Sequence, residues 1–490
     1  MTTDENARFR SDASKLISGT VVSQGIAIAS VPILAWFFDP DAFGLAAVFT
    51  SIVLITGVVA CLRYELALLL PERDEEACNL LAACLAFPIL VAALLVPAVL
   101  WMRQPLAEYW EQPALAQLLW MLPIAILFHG WFTALSYWQT RNRRYVNQSI
   151  AKTTATFSQA SGAIAAGGLG HSSGTTLIVF QLMGQALSII VLGLTTWQRD
   201  IHKFARAVHP RAIYQQVVRY RKFPMVDTWS ELLNIASYNM PVLLLGYFFP
   251  ITVVGHYSLG HRLLNIPMSL VGRSMSQVFF QNATVAHRES RLGNLVSETS
   301  AYLLQLSFFP FLMITIVGTD MFTVVFGTKW ATAGLYAQIL APWLLFQFLY
   351  VPMSNLLNVL QLQEMGLFLS VLLFASRVAA LVYGGVLGEP IVSLLWFSIS
   401  GCLLYGAFFA YVLRKAGVLM LPTLAQLVGS QKINLVLVSV LLLAKVSGYF
   451  NPLMMVGLAT GLTAVFAPQV VPLPKLVALG RRLATRSANK

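Results

Sequence analysis

Long apolar runs separated by short polar breaks cover almost the whole chain. The pattern predicts about 14 transmembrane helices, each long enough to cross a hydrocarbon core of about 30 Å. The predicted spans are 14–38, 45–70, 77–102, 114–138, 149–168, 175–197, 225–248, 253–280, 299–318, 334–358, 366–387, 391–413, 432–448 and 453–471. No break is long enough for a soluble domain, so the predicted fold class is an all-α, polytopic transmembrane helical bundle.

Two segments of this pattern read alike at an offset of 211 residues. The apolar run 31–38 is followed by five residues and Gly44, and the run 242–249 is followed by five residues and Gly255. Chance similarity between apolar segments is the alternative explanation. We predict two pseudo-repeated six-helix lobes followed by two C-terminal spans, an arrangement that favours a transporter.

The longest basic break supplies the internal boundary of this repeat. It separates the sixth predicted span from the seventh, where the offset between the two segments would place a boundary. The predicted organisation is an N-lobe (1–198, spans 1–6), a basic cytoplasmic linker (199–224), a C-lobe (225–413, spans 7–12) and a final segment (414–490, spans 13–14 and a basic tail).

Composition and charge place the ends of the chain. Hydrophobic residues make up 57% and charged residues only 11%, where a soluble protein carries about 25% charged residues. Most of the 32 Lys and Arg residues lie in the termini and in alternate breaks, which predicts that both termini are cytoplasmic. The net charge of +12 reflects this bias, so nucleic acid is not an expected partner.

Motifs for cofactors and metals are not found in the sequence. The four cysteines lie in predicted spans without a CxxC pair, and we expect neither a disulfide nor a metal site. There is no phosphate-binding Gly-x-x-x-x-Gly-Lys-Ser/Thr loop, so an ATP-driven pump is not indicated and no cofactor is expected.

Polar side chains inside two neighbouring spans carry the functional signal. Helical spacing places one acidic and polar stripe on span 7 and one basic and polar stripe on span 8. The first stripe consists of Asp227, Glu231, Asn234, Tyr238 and Pro241. The second consists of Arg262, Asn265, Ser269, Arg273 and Ser276.

Two interpretations of the stripes remain open. In the structural one, Asp227 or Glu231 neutralises Arg273 and holds span 7 to span 8. In the functional one, the arginines line a cationic cavity for an anionic headgroup, because Arg262 and Arg377 lie deep in their spans, where charge is costly. Arg63, near the end of span 2, joins the candidate cavity residues. Asp227 and Glu231 are then candidate ion-coupling groups.

Three segments resemble a known group of membrane proteins. The segment 34–45, Leu-Ala-Trp-Phe-Phe-Asp-Pro-Asp-Ala-Phe-Gly-Leu, is similar to the end of the first span in polysaccharide flippases. The segment 62–72, Leu-Arg-Tyr-Glu-Leu-Ala-Leu-Leu-Leu-Pro-Glu, with Glu-Glu-Ala at 75–77, resembles the end of their second span. Phe-Gly-Thr-Lys-Trp at 326–330, with Gly334, resembles the external loop after their ninth span. The family is the Wzx-like O-antigen and exopolysaccharide flippases of the MOP superfamily, which also contains MATE exporters and lipid II flippases.

The resemblance implies a substrate and a location. It implies a V-shaped pair of lobes that move undecaprenyl-diphosphate-linked oligosaccharide across the bacterial inner membrane, coupled to an ion gradient or the membrane potential. The implied partners are this lipid-linked oligosaccharide, membrane lipids and the polysaccharide polymerase or export machinery. A MATE-like cation-coupled exporter is the first alternative. An integral-membrane glycosyltransferase using Asp39 and Asp41 is the second, although a turn-forming Asp-Pro-Asp explains these residues better.

Overall fold

The computed structural model describes residues 3–109, 118–266, 268, 273–289, 291–418, 429 and 431–470, and the regular structure in these ranges is helical. The start of predicted span 4, Ser269 and the basic tail 471–490 lie outside the described residues. The chain divides into two compact units, residues 1–255 and 256–490. The predicted division into lobes and linker remains a prediction.

The first unit contains nine helices and the start of a tenth within the described ranges. They are α1 (Thr3–Phe37), α2 (Pro40–Gly57), α3 (Tyr64–Ala67), α4 (Asp74–Tyr109), α5 (Leu122–Arg141), α6 (Tyr145–Gly168), α7 (Gly174–Ala207), α8 (Pro210–Arg219), α9 (Thr228–Phe248) and the beginning of α10 (Ile251–Leu264). A π-helical turn, Phe223–Asp227, leads into α9. Asp39 is the N-cap position of α2 and Pro40 its first residue, which agrees with a helix start rather than a catalytic pair.

The second unit continues α10 and adds the remaining helices. They are α11 (Arg273–Arg288), α12 (Leu292–Phe326), α13 (Ala331–Met353), α14 (Asn355–Val359), α15 (Gln363–Val386), α16 (Pro390–Lys415), α17 (Lys432–Ser447) and α18 (Pro452–Val470). Apolar side chains of α17 and α18 pack on α12 around Phe309 and Leu441. Lys445 of α17 also donates to Asp320 of α12 at 2.5 Å, so an ion pair holds the C-terminal helices to the unit.

Eight segments of the described chain are long and apolar enough to cross a membrane. They are Gly19–Phe37, Pro40–Gly57, Asp74–Trp101, Gly174–Ala207, Leu292–Phe326, Thr328–Val359, Glu364–Val386 and Pro390–Lys415. α6 and α9 also coincide with predicted spans. The protein is therefore a multi-pass membrane protein, and the total of about 14 spans remains a prediction.

One predicted span is not a continuous helix, and part of another lies outside the described residues. Span 2 was expected over 45–70, yet α2 ends at Gly57 and a turn precedes α3. Span 8 was expected over 253–280; α10 covers Ile251–Leu264 and α11 covers Arg273–Arg288, and residues 267 and 269–272 between them lie outside the described residues. The placement of the basic stripe of span 8 on one helical face therefore remains a prediction.

The start of α2 packs against the start of α10 through two glycines. A Cβ atom at Gly44 would overlap the carbonyl oxygen of Ile251, and one at Gly255 would overlap the carbonyl oxygen of Pro40. The contact is symmetric under the 211-residue offset, since it pairs Gly44 with Ile251 and Gly255 with Pro40. Thr252 also donates its hydroxyl to the Asp41 carboxylate, at the same offset. The absence of side chains at both glycines lets the two backbones touch.

A buried ion pair ties α5, α6 and α7 together. Both terminal guanidinium nitrogens of Arg144 donate to the Asp200 carboxylate, at 2.6 and 2.9 Å. The indole nitrogen of Trp138 donates to the same carboxylate at 2.9 Å. Asp200 is only 1% exposed. Because each charge is satisfied by the other, removal of one partner leaves an uncompensated buried charge.

Asp200→Asn is expected to lower the free energy of unfolding by about 3 kcal/mol, because Arg144 then loses its counter-ion. The measurement is chemical unfolding of the purified protein in detergent. Glu76→Gln is the matched control, since Glu76 pairs with the exposed Arg219 at 3.0 Å and such surface pairs contribute about 0–1 kcal/mol. Equal losses in the two variants would show that the Asp200 pair is no more important than a surface pair.

Candidate functional site

The turn between α2 and α3 presents the Arg-Tyr-Glu segment of the sequence. Leu62 and Arg63 both have left-handed backbone conformations, with φ of 51° and 63°. Residues other than glycine rarely adopt the left-handed backbone region, at a cost of about 1–3 kcal/mol each. The strain places Arg63, Tyr64 and Glu65 at a break in an otherwise helical segment.

The charged side chains of this turn form a cluster with α9. Arg63 Nη1 lies 3.6 Å from Glu65 Oε1 and 3.9 Å from Glu231 Oε1. Glu65 is 4% exposed, and its second carboxylate oxygen is buried with no hydrogen-bond partner among the described residues. Arg63 Nε is buried and unpaired in the same way. We call these three residues the Arg63 cluster; it holds one guanidinium and two carboxylates.

Tyr64 fixes the turn to its surroundings. Its ring stacks on Phe87 with centroids 5.5 Å apart, and its hydroxyl donates to the Val217 carbonyl of α8 at 2.9 Å. Cys61, one residue before the strained pair, donates its thiol to the Gly130 carbonyl at 3.3 Å. These tertiary contacts offset the local strain, so the position of the Arg63 cluster is set by packing and not by the local sequence.

The acidic stripe of α9 is retained in part. Glu231 accepts a hydrogen bond from Asn234 at 3.5 Å, and Asn234 and Tyr238 are exposed beside it. Asp227 ends the π-helical turn and makes no ion pair within the described part of the unit. The stripe thus brings Glu231, Asn234 and Tyr238 to one side of α9, and the Arg63 cluster includes the first of them.

In the second unit, Arg377 is held by aromatic groups. Its guanidinium carbon lies 5.4 Å from the centre of the Trp343 ring and 5.7 Å from that of Phe397, and it donates to the Tyr405 hydroxyl at 3.0 Å. His261 stacks on Trp343 with centroids 6.0 Å apart and planes 6° apart. We call Trp343, Phe397 and Tyr405 the Arg377 cage.

The Arg377 cage leaves the charge of the arginine uncompensated. No carboxylate among the described residues of the unit forms an ion pair with Arg377, and its Nε atom is buried without a hydrogen-bond partner. Aromatic faces and a hydroxyl orient a guanidinium without neutralising it. In such an arrangement the guanidinium can donate hydrogen bonds to the oxygens of an anion, and its planar shape suits this contact.

The residues of the basic stripe are described only in part. Arg262 lies in the last turn of α10, is exposed and forms no ion pair with other described residues of the second unit. Asn265 donates its amide to the His261 carbonyl at 2.8 Å and so closes the helix end. Arg273 is the first residue of α11, and its side chain lies outside the described residues. Glu231 lies beside Arg63 instead, and the pairing of Asp227 or Glu231 with Arg273 remains a prediction.

Sequence reasoning missed two parts of these sites. It treated Glu65 as part of a motif only, although the spacing Arg63-x-Glu65 could have suggested an ion pair. It also missed the Arg377 cage, because Trp343, Phe397 and Tyr405 come from α13 and α16 and nothing local links them to α15.

Comparison with known proteins identifies the family. A family described as "Polysaccharide biosynthesis protein" matches residues 33–334, more than half of the chain. The chain belongs to this family. Among curated proteins, the succinoglycan biosynthesis transport protein ExoT of Rhizobium meliloti (strain 1021) is 24% identical over 385 residues, which cover 76% of this chain and 74% of ExoT.

Solved structures show the same fold. The lipid II flippase MurJ in an inward closed conformation superimposes with a TM-score of 0.71 at 12% identity, covering 92% of this chain and 97% of MurJ. An inward-facing multidrug resistance MATE family transporter of the MOP superfamily gives a TM-score of 0.60 at 13% identity, covering 82% and 98%. The prediction of a polysaccharide-biosynthesis family is thereby confirmed, and the predicted fold is shared with a lipid II flippase and with a MATE transporter of the MOP superfamily. ExoT, MurJ and the MATE protein are named as transport proteins or flippases rather than enzymes.

Proposed function

We propose that this protein is a flippase that moves undecaprenyl-diphosphate-linked oligosaccharide repeat units from the cytoplasmic to the periplasmic leaflet of the bacterial inner membrane. Both termini would be cytoplasmic, because the basic segments gather on one side of the predicted topology. Transport would proceed by alternating access through a cationic cavity. Family membership and the similarity to a succinoglycan transport protein support the substrate class.

The observation that carries the proposal is that Arg377 has no carboxylate partner among the described residues of its unit. A diphosphate group is a strong, multivalent anion, and a guanidinium held by neutral groups offers it charge-assisted hydrogen bonds. Arg262 supplies a second exposed cation in the same unit. Arg63 and Arg273 remain further candidates, with Asn234, Tyr238 and Asn265 as polar neighbours for sugar hydroxyls.

We infer further that the Arg63 cluster couples transport to a cation. One guanidinium balances one of its two carboxylates, and the buried oxygen of Glu65 has no donor among the described residues. A proton or a small cation bound there would remove the excess negative charge. Glu231 keeps the coupling role predicted from the sequence and gains Glu65 as a partner, whereas Asp227 lacks an ion pair in the described structure and stands outside the cluster.

Deletion of the gene tests the proposed function. The lipid-linked sugars of the deletion strain would be extracted and their leaflet determined with a membrane-impermeant glycan-modifying enzyme. A complete repeat unit on undecaprenyl diphosphate, held in the cytoplasmic leaflet, is the expected result. A truncated glycan would instead indicate a glycosyltransferase. An unchanged lipid pool would favour a MATE-like exporter of cations, for which the carboxylates of the Arg63 cluster would be the substrate site.

Arg377→Ala is expected to reduce complementation of the deletion strain at least about tenfold, the effect of losing one charge-assisted contact of about 1.5–3 kcal/mol. Arg377→Lys should rescue only part of the activity, because an ammonium lacks the planar fork. The assay is the rate of polymer export at matched membrane levels of protein. Arg414→Ala, an exposed arginine at the end of α16, is the control and should leave the rate unchanged.

A further inference from the structure

We propose that α8 and the turn after it form a docking surface for the anionic phospholipids of the membrane. The surface consists of the outward side of α8 and the exposed residues that lead into α9, namely Arg211, Tyr214, Val218, Arg221, Lys222, Met225, Val226 and Trp229. We call it the linker surface. It concerns the lipid around the protein, so it goes beyond the substrate proposed above.

The inward side of α8 is fixed to the rest of the first unit. Gln216 is buried, and Val217 and Tyr220 pack against the apolar cluster around Tyr64. The chain just before α8 is held as well, since the His209 amide donates to Asn79 of α4 at 3.1 Å. Because one side of α8 packs against the first unit, the opposite side faces away from it.

The outward side combines exposed apolar and basic side chains. Tyr214 is 71% exposed and Val218 41% exposed, one helical turn apart, and Arg211 lies one turn before Tyr214 on the same side. Apolar groups aligned on one side of a short helix and flanked by arginine are typical of helices that lie in a membrane interface. An aqueous surface would not favour this alignment.

The residues after α8 extend the same pattern towards the bilayer. Arg221 and Lys222 are exposed, and Met225 and Trp229 follow them at 64% and 63% exposure. α9, which begins at Thr228, is a predicted membrane span, and Trp at the entry of a span favours the headgroup region. The linker surface therefore lies where one helix leaves the bilayer and the next enters it, at the depth of the lipid headgroups.

Charge complementarity selects anionic lipid as the occupant. Arg211, Arg221 and Lys222 form no ion pair with other described residues, so their charges are available. Each basic residue near an anionic surface contributes about 1 kcal/mol, equal to roughly a fivefold rise in the local enrichment of anionic lipid. A neutral lipid would fit the apolar groups but would leave the three charges without partners.

The test measures which lipid touches α8 in the full-length protein. Val218→Cys in a Cys402→Ser background would carry an environment-sensitive fluorophore, since Cys61, Cys78 and Cys84 are buried. The protein would be reconstituted in nanodiscs of phosphatidylcholine with or without phosphatidylglycerol. The quencher is a nitroxide-labelled phosphatidylglycerol, compared with the same label on phosphatidylcholine. We expect stronger quenching by phosphatidylglycerol, with the preference reduced at high salt.

Charge-matched variants separate a specific surface from a general attraction. The triple variant Arg211→Gln, Arg221→Gln and Lys222→Gln should lower the preference for phosphatidylglycerol at least about tenfold. Its control removes three exposed basic residues elsewhere, Arg288→Gln, Arg414→Gln and Lys415→Gln, and should keep most of the preference. A second variant, Tyr214→Ser in the labelled background, removes an exposed aromatic group from the outward side of α8 and should weaken quenching by both lipids.

Three results would overturn the proposal. The first is a label that neither lipid quenches, which would mean that α8 faces water or a protein. The second is equal quenching by the two lipids, which would mean that charge plays no part. The third is an equal loss in the two triple variants, which would reduce the effect to total charge. Transport is not measured in this experiment, so its failure leaves the proposed substrate untouched, and failure of the gene-deletion test leaves the linker surface untouched.

Discussion

Replacement of Arg63 by methionine is expected to lower the free energy of unfolding by about 3 kcal/mol and to abolish transport. Arg63 lies between Glu65 and Glu231, and its removal leaves two carboxylates facing one another, one of them 4% exposed. Breaking a buried pair by removing one partner costs about 3–5 kcal/mol, and we expect the lower end because Glu231 keeps some access to water. Chemical unfolding in detergent and the polymer-export assay give the two values.

A second substitution separates the charge effect from the packing effect. Arg63→Met combined with Glu65→Gln removes both charges of the closer pair, and we expect it to recover at least about half of the lost stability. Transport should not recover with it, since the proposed coupling site would lack its acid. If the double variant regained full transport, Glu65 would have only a structural role. If it were no more stable than Arg63→Met, the ion pair itself would contribute nothing.

Gly255→Ala is expected to destabilise the first unit by about 2–3 kcal/mol, the range for inserting a group into a close-packed contact. The added methyl group would overlap the carbonyl oxygen of Pro40, a backbone atom that can move only if α2 and α10 separate. Gly44→Ala should have a similar effect, because its methyl group meets the Ile251 carbonyl oxygen in the symmetric position. Unfolding temperature and protease sensitivity of the purified protein measure the loss.

Gly193→Ala provides the control for this pair. Gly193 lies within α7, and a Cβ atom there would meet nothing within 4 Å. Alanine favours a helix over glycine by up to about 1 kcal/mol, so Gly193→Ala should leave the unfolding temperature unchanged or raise it. A loss at Gly193 as large as that at Gly255 would show that any alanine in these helices is harmful, and the close contact would then explain nothing.

Much of the helical pattern follows from the sequence. Helix α16 runs over Pro390–Lys415 where a span was predicted over 391–413, and α17 runs over Lys432–Ser447 where one was predicted over 432–448. In these segments the limits of the apolar run and of the helix agree to within about two residues, because an apolar environment favours a helix that satisfies its own backbone hydrogen bonds. Proline at the first position of α16 marks its start in the sequence.

The break in span 2 could not be predicted in the same way. Leu62 and Arg63 are neither glycine nor asparagine, so nothing local indicates a left-handed backbone. The turn persists because Tyr64 and Cys61 find partners on α8 and α5. Those partners are distant along the chain, and only the folded structure brings them together.

The candidate sites also combine features that local sequence predicts with features that depend on tertiary packing. The polar side of α9 was predictable from helical spacing, since Glu231, Asn234 and Tyr238 lie on one helix. The partner of Glu231 was not, because Arg63 lies in the turn between α2 and α3, which the sequence does not reveal. The Arg377 cage is likewise a product of tertiary packing, in which residues of α13 and α16 surround a residue of α15.

The hydrogen bond from Tyr64 to Val217 has a consequence for communication between the surface and the interior. Tyr64 stands between Arg63 and Glu65 in the sequence, and its hydroxyl is bonded to the backbone of α8. A shift of α8 that strains this bond must therefore also move the neighbours of Tyr64. By thermodynamic reciprocity, if cation binding at Glu65 favours one position of Tyr64, anything that binds α8 in that position will strengthen the cation site by the same factor. One hydrogen bond would then let the composition of the membrane set the affinity of a buried acid.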